Sequence, residues 1–426
     1  MKLKKLAILC STYAVGALAF STNVMATTEV NFWYSGGSKP QRLMTELIDK
    51  FNSSQNDYVV KGALQGNYDE TYQKLQAGMA SKTAPEFVLL YVSQAQMMMA
   101  RNLTRDLRPY MDKEFNFDDF IGSFRQQVTN EKGDVYALPA YGTTQIFYYN
   151  KLVLKKHGFT VDDLNTWQGV AKVAAAVQKK DAAGNTTFYG WEPMWGQDNL
   201  MDAAFSNGAK VISGDGKTVL IDSPEWVTVW EGFRQWIHQD KTMRIHHGGQ
   251  GWEYWYKTID DVMKDRALGY TGSSGDQGDL DFTKLAATVQ PGWGEHPANP
   301  QAGMVSFVMP KGTDDEASKG AFEFMKFYTN AKNTAYWSMQ TGYIPVRNSV
   351  KDVPEYKAYT TDNPQALIPL KQAETTRETF SDPTNGRIMD ALSIAADQVQ
   401  IENIPAEKAL KEAAKRAQRA LDRANR

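Results

Sequence analysis

Residues 30 to 91 decide the architecture. They read Val30-Asn31-Phe32-Trp33-Tyr34, a turn at Ser35-Gly36-Gly37, Pro40 to Phe51, Tyr58 to Leu64, Asp69 to Met79, and Glu86-Phe87-Val88-Leu89-Leu90-Tyr91. The pieces at 30–34, 58–64 and 86–91 are short runs rich in β-branched and aromatic residues, which predicts strands. The pieces between them space apolar residues as a helix does: Leu43, Leu47 and Phe51 in one, Tyr72, Leu75 and Met79 in the other. Alternating strands and helices predict an α/β domain with a mainly parallel sheet. In such sheets ligands bind beyond the carboxyl ends of the strands. The loops at 33–37 and 66–69, the second containing Gly66-Asn67, are such ends.

Further along, 135–139 and 146–150 read as strands flanking a polar turn, Gly142-Thr143-Thr144. Helices are predicted over 167–180, 224–238 and 318–339, the last with Phe322, Met325, Tyr328 and Tyr336 as core residues. Strands are predicted at 267–270, 287–290 and 303–309. The tail, 405–426, carries Ala409, Leu410, Ala413, Ala417 and Leu421 on one face and predicts a closing amphipathic helix. No Pro/Gly/Ser-rich tether lies near Gly142, so strands, not a loose linker, join the two halves.

The chain has 426 residues, long enough for two domains with ample core. With 47 Lys+Arg against 49 Asp+Glu and a pI near 6.3, it lacks the basic excess of a nucleic-acid binder. Its 11 Trp, 20 Tyr and 19 Phe exclude disorder as the main state. Mean hydropathy of −0.49 with a single long apolar run excludes a polytopic membrane protein. That run, Leu6 to Phe20, follows Lys2, Lys4 and Lys5 and precedes Val24-Met25-Ala26. This is the grammar of a secretory signal over residues 1–26, cleaved before Thr27, and it predicts a periplasmic protein. Cys10 lies inside the signal, and Leu9 before it does not suit a lipoprotein site. The remaining chain carries a formal charge of −5 and no cysteine. That excludes thiol nucleophiles, disulfides, Cys-based zinc sites and iron–sulfur clusters.

Catalytic motifs are few. No GxGxxG follows the first strand, and GxxxxGK[ST], HExxH and GxSxG do not occur. No cofactor or metal is expected. Adjacent His246 and His247 point to opposite sides of an extended chain and read as a solvated loop pair. A glycosidase needs only two suitably placed carboxyls, and Asp198, Glu253 and Glu295 lie among aromatics. With 49 acids in the chain such neighbours arise by chance. The aromatics say more. Trp191, Trp195, Trp252, Tyr254, Trp255, Tyr256 and Trp293 fall in turns and polar segments, not in regular core periods. Aromatic faces suit the C–H faces of sugars, and neighbouring Asn, Gln, Asp and Ser suit hydroxyls, which predicts a ligand cleft.

Several segments occur together and in order: Phe32-Trp33-Tyr34-Ser35, Gly66-Asn67-Tyr68-Asp69-Glu70, Ala84-Pro85-Glu86-Phe87-Val88, Leu138-Pro139, Phe147-Tyr148-Tyr149-Asn150-Lys151 and Thr341-Gly342-Tyr343-Ile344-Pro345-Val346. The set resembles the extracytoplasmic solute-binding proteins of ATP-binding-cassette importers, in the large sugar-binding class. Within it the pattern stands nearest to members that bind glycerol 3-phosphate. The resemblance implies a two-lobed α/β periplasmic-binding-protein fold in which each lobe is a mainly parallel sheet flanked by helices. Lobe I would hold 27–143 plus 275–334, and lobe II 144–274 plus 335–426. It implies a non-enzymatic protein, a monomer, that captures a small carbohydrate by lobe closure and delivers it to permease subunits. Carried over residue by residue, Tyr68, Thr143, Ser273, Ser274, Gly303 and Tyr343 match ligand-contacting positions, and Trp195 matches a tryptophan region loosely. Ser35, Tyr141, Trp252, Trp293 and Arg377 complete the expected site. Two departures bear on the ligand. Glycerol-phosphate binders carry Glu directly after the third strand, where Tyr91 is here followed by Val92. Their phosphate-holding Arg falls in a stretch that here reads Phe380-Ser381-Asp382-Pro383, with Arg377 and Arg387 on either side. The expected guest is therefore a neutral sugar or short oligosaccharide, with glycerol 3-phosphate or a glycerophosphodiester as the alternative and a secreted glycosidase behind both.

Overall fold

The computed structural model describes residues 27–373 and 375–426, so the expected signal and Cys10 lie outside the described residues. Its strands are β1 (Thr28–Tyr34), β2 (Tyr58–Leu64), β3 (Phe87–Tyr91), β4 (Leu138–Asn150), β5 (Lys179–Lys180), β6 (Thr186–Phe188), β7 (Glu192–Pro193), β8 (Gly269–Ser273), β9 (Leu285–Thr288), β10 (Gln301–Val308) and β11 (Arg377–Glu378). One sheet runs β2-β1-β3-β10-β4-β8-β7, with β11 beside β10 and β9 beside β4, while β5 and β6 form a separate ribbon. β1 is parallel to β2 and β3, and β10 is antiparallel to β3 and β4.

The opening segment folds as its periodicity predicts, with helices Ser38–Ser54 and Tyr68–Ser81 between the first three strands. Leu43, Leu47 and Phe51 are the buried face of the first helix. The second starts at Asn67, whose side chain accepts from the Glu70 N–H at 2.9 Å. Asp69 and Glu70 in its first turn complement the helix dipole. The tail forms helix Ala406–Ala424 and buries Ala409, Leu410, Ala413, Ala417 and Leu421.

Two expectations are corrected. The polar segment at Gly142 is not a turn but the middle of the continuous strand β4. Its backbone has partners on both sides: Gly142 exchanges two hydrogen bonds with Ile344, at 2.8 and 2.9 Å, and Thr143 and Thr144 pair with Gly303 and Ala302. The predicted helix over 318–339 is two helices, Asp315–Tyr328 and Ala331–Thr341. Asn330 breaks it by accepting from the Asn333 N–H at 2.9 Å, a cap that competes with helix continuation.

Two cores hold the two lobes. The first stacks Phe32 on Phe87, with centroids 4.2 Å apart, and gathers Phe307 and Phe324 around them. The second gathers Phe147, Trp167, Trp191, Trp230 and Phe233 with Leu410 and Leu421 of the tail helix. The expected division is redrawn at its later boundaries. Trp337, Ile344 and Val346 pack in the first core, because Trp337 stacks on Tyr141 at 5.3 Å and Ile344 bonds to Gly142. Leu285 and Trp293 pack with second-lobe residues, because β9 pairs with the far half of β4 and Trp293 lies against Trp236.

β4 is thus shared: Leu138 to Thr144 pair with β10, and Gln145 to Tyr149 pair with β8. A Cβ at Gly142 would overlap the Phe124 ring and the Ile344 side chain. Gly142→Ala is expected to lose about 1–3 kcal/mol of stability in urea unfolding, whereas unchanged stability would contradict this packing.

Candidate functional site

β1 ends beside Gly36-Gly37, β3 ends at Tyr91, and β4 crosses between lobes next to β8. These ends border a cleft with about 580 Å³ of empty space, its mouth included. The first lobe lines it with Tyr68, Tyr91, Tyr141, Tyr343 and Val305, and with Gly36, Gly37 and Pro40 at its edge. Facing them are Trp252, Trp255 and Tyr256, with Gly275, Asp276 and Asp279 after β8. Thr143 and Ser273 line it where the shared strands meet, their hydroxyls 3.4 Å apart.

The first wall is a set of linked tyrosines. The Tyr68 and Tyr141 hydroxyls are 2.5 Å apart, the Tyr68 ring lies 4.4 Å from Tyr91, and Tyr141 lies 4.4 Å from Tyr343. Burial pushes the Tyr68 hydroxyl up to about 12, so it stays a neutral donor and acceptor near neutral pH. In the second wall Trp252 and Trp255 meet edge to face at 5.7 Å. The Trp255 indole N–H donates to Asp276 Oδ1 at 2.9 Å, and the Tyr270 hydroxyl donates to Oδ2 at 3.2 Å. Burial pushes Asp276 up to about 8 against the pull of those two bonds. Burial also raises Asp279, opposed by the charges of Lys39 and Arg42. Trp252 Nε1 and Ser274 Oγ are buried atoms with no hydrogen-bond partner among the described residues. At the mouth the Ser38 N–H donates to the Tyr256 hydroxyl at 2.8 Å, and Lys39 Nζ donates to the Gly278 carbonyl at 2.7 Å. These bonds cross the mouth of the cleft.

Of the residues expected at the site, Tyr68, Tyr141, Thr143, Trp252, Ser273 and Tyr343 come together in the cleft. Ser35 is buried behind it, its hydroxyl 2.6 Å from that of Thr71, and Ser274 sits behind Gly275. Gly303 pairs with Thr143 on β10 and faces Thr379. Three lie elsewhere. The Trp195 indole donates to Asp397 at 2.7 Å and its ring meets Tyr254. Trp293 is 7% exposed and packs on Phe233 and Trp236, so it is a core residue. The Arg377 guanidinium lies over the Phe205 ring, beside a second pocket. The sequence reading missed Tyr91, Trp255, Tyr256, Asp276 and Asp279 as lining residues. Tyr91 stands at the carboxyl end of a strand, where the α/β rule points. Trp255 and Tyr256 belong to the aromatic run already noted, and Asp276 follows the Ser273-Ser274 turn.

His246 is not a free loop residue: its Nε2 lies 2.7 Å from Asp261 Oδ2 and 4.0 Å from Glu192 Oε2. These three offer metal-ligand atoms within 4.8 Å of one another. However, Arg244 pairs with both carboxyls and Arg266 with Asp261, so cationic side chains already occupy these oxygens. Burial would raise Asp261, but hydrogen bonds from His246 and Arg266 and the Arg244 charge hold it well below the usual range. Of the carboxyls considered for hydrolysis, Glu253 is paired at the surface with Lys257 at 2.7 Å and Glu295 is exposed in a turn. Asp198 stands near Asp69 and Tyr91, and burial followed by the Asp69 charge pushes it up to about 6.

Asp276 keeps its proton to about pH 8 in the folded chain but only to about pH 4 when unfolded. The folded state holds the extra proton across that window, so stability falls as pH rises through it. The Tm of the ligand-free protein is expected to decline from pH 5 to pH 8, and Asp276→Asn is expected to make the decline shallower. Identical slopes would contradict the assignment.

A family model for bacterial extracellular solute-binding protein matches residues 46–364. The chain is 27% identical over 375 residues to the sn-glycerol-3-phosphate-binding periplasmic protein UgpB of Yersinia enterocolitica, covering 83% of this chain and 82% of that one. UgpB from Mycobacterium tuberculosis, solved in complex with glycerophosphocholine, superposes with a TM-score of 0.80 at 22% identity over 93% of this chain and 99% of that one. Maltose-bound MalE3 of T. maritima superposes with a TM-score of 0.80 at 18% identity over 92% and 99%. These structures share the two-lobed fold. The chain belongs to the bacterial extracellular solute-binding protein family.

Proposed function

We propose that this chain is the periplasmic substrate-binding component of an ABC importer, and that it captures a mono- or short oligosaccharide as a monomer and passes it unchanged to a permease. The observation that carries the carbohydrate reading is the lining of the cleft. Seven Tyr and Trp side chains and two Asp carboxyls line it, with no Lys, Arg or His among the described lining residues. A phosphate dianion wants a cationic fork. Asp276 and Asp279 supply no positive charge to hold it. A sugar instead finds flat faces for its C–H surface and, in Thr143, Ser273, Tyr68 and Asp276, groups that exchange hydrogen bonds with its hydroxyls.

The lobes open and close about the shared strands. A guest that touches Tyr68 and Tyr343 on one side and Trp255 and Asp276 on the other binds the closed form better, and so shifts the population toward it by that difference. The permease then reads the closed form. Each hydrogen bond contributes about 1 kcal/mol net, so stacking on the rings supplies much of the affinity.

A second reading, glycerol 3-phosphate or a glycerophosphodiester, is favoured by the names of the relatives and by Tyr68, Thr143 and Tyr343, which match positions in that type and line the cleft. A thermal-shift and calorimetric panel of mono-, di- and trisaccharides with glycerol 3-phosphate and glycerophosphocholine separates the two. A sugar at 100 times its dissociation constant is expected to add about 2.7 kcal/mol of stability. Trp255→Ala is expected to weaken that binding about tenfold or more. The guest should be recovered intact. A response to glycerol phosphates alone would favour the second reading, and release of reducing ends would favour an enzyme.

A further inference from the structure

A second pocket lies where the loop Gly208 to Ile212, after helix Gln197–Ser206, meets Asn299 and the start of β11. It has about 690 Å³ of empty space, its mouth included, and shares no lining residue with the cleft. We propose that this pocket binds a small organic anion, a carboxylate or phosphate monoester on an apolar body, held by Arg377 and Lys210 against Phe205 and Phe380.

The unusual group is Arg377. It is half-buried, and its guanidinium lies 4.2 Å over the Phe205 ring, which fixes its plane. Its side chain has no hydrogen bond or ion pair among the described residues, although it lines the pocket. Other sheltered arginines here are engaged. Arg347 donates to Thr329 and Asn116 carbonyls, Arg234 to Glu231 and Asn403, Arg244 to Glu192 and Asp261, and Arg105 to Asp315 and a Thr313 carbonyl. An Arg kept only for structure would have such acceptors, because leaving a desolvated charge unpaired is costly. Burial lowers the Arg377 pKa, with the Asp202 charge opposing, which marks the same uncompensated desolvation. Asp202 does not pair with it, because its oxygens accept from the Gln301 N–H at 2.9 Å and Gln290 Nε2 at 2.8 Å. No Asp or Glu is among the described lining residues, and Lys210 brings a second cation with no ion pair among them. Phe205 and Phe380 form the apolar wall, and Asn299 adds a neutral polar group. A guanidinium fork with an ammonium nearby is the donor set for a carboxylate or phosphate.

The test is calorimetric titration of phenyl phosphate and of benzoate into the full chain at low salt. Saturable binding of at least one, weakening as salt rises, is expected. Arg377→Gln is expected to weaken it about tenfold or more, and Lys210→Gln a few-fold. The cleft variant Trp255→Ala should bind the probe as the wild type does, which separates this pocket from the cleft whatever the cleft's guest proves to be. Absence of saturable binding, affinity unchanged in Arg377→Gln, or binding lost in Trp255→Ala would overturn the proposal. If Arg377→Gln does not fold, as judged by circular dichroism, the exposed Lys210→Gln decides, and unchanged affinity there overturns it.

Discussion

A single strand, β4, is hydrogen-bonded into both lobes at once. Its first half lies against β10 and its second half against β8 and β9. The two cores on either side of it are packed separately, one around Phe32 and Phe87, the other around Trp167 and Trp191. Interiors packed to crystal density do not deform continuously. Relative motion of the lobes would therefore fall on the shared strands, where Thr143 and Ser273 meet. The bonds from Ser38 to Tyr256 and from Lys39 to Gly278 close the mouth. At about 1 kcal/mol each, they are weak beside the contacts a bound guest would make.

The chemistry of the cleft follows from its burial. Tyr68 is held neutral, and Asp276 keeps a proton to about pH 8. Near neutral pH the walls therefore present hydroxyls and a largely protonated carboxyl, able to donate as well as accept. The cluster at Glu192, Arg244, His246 and Asp261 differs in being bonded within itself, Arg244 reaching both carboxyls and His246 lying against Asp261. Side chains bonded to one another in this way support the fold. A group of neutral donors and rings around empty space is arranged for a guest.

Much of this was legible in the residues. The alternation from Val30 to Tyr91 and the stripe of Ala409, Leu410, Ala413, Ala417 and Leu421 state their own periods, and they fold accordingly. Where the outcome depended on partners distant in sequence, reading failed. Gly142-Thr143-Thr144 has turn composition but is held extended by Ile344 and β10. Trp293 sits in a Gly-rich turn, yet the rings that bury it, Phe233 and Trp236, are on another segment. Asp276 gave no local sign of its environment, which Trp255 and Tyr270 create from a helix and a neighbouring strand. Arg377 was read as a cleft residue because of its place in the chain, but its contact with Phe205 puts it beside the second pocket.

The central claim is that two lobes close on a guest about β4. The direct measurement is the distance between spin labels at Lys74→Cys and Lys257→Cys, one on each lobe and both exposed. The protein would start at Thr27, where it has no other cysteine. With whichever sugar raises the Tm, the account predicts that a longer, broader distance distribution collapses to a shorter, narrow one. A distribution that stays the same at saturating sugar would contradict it.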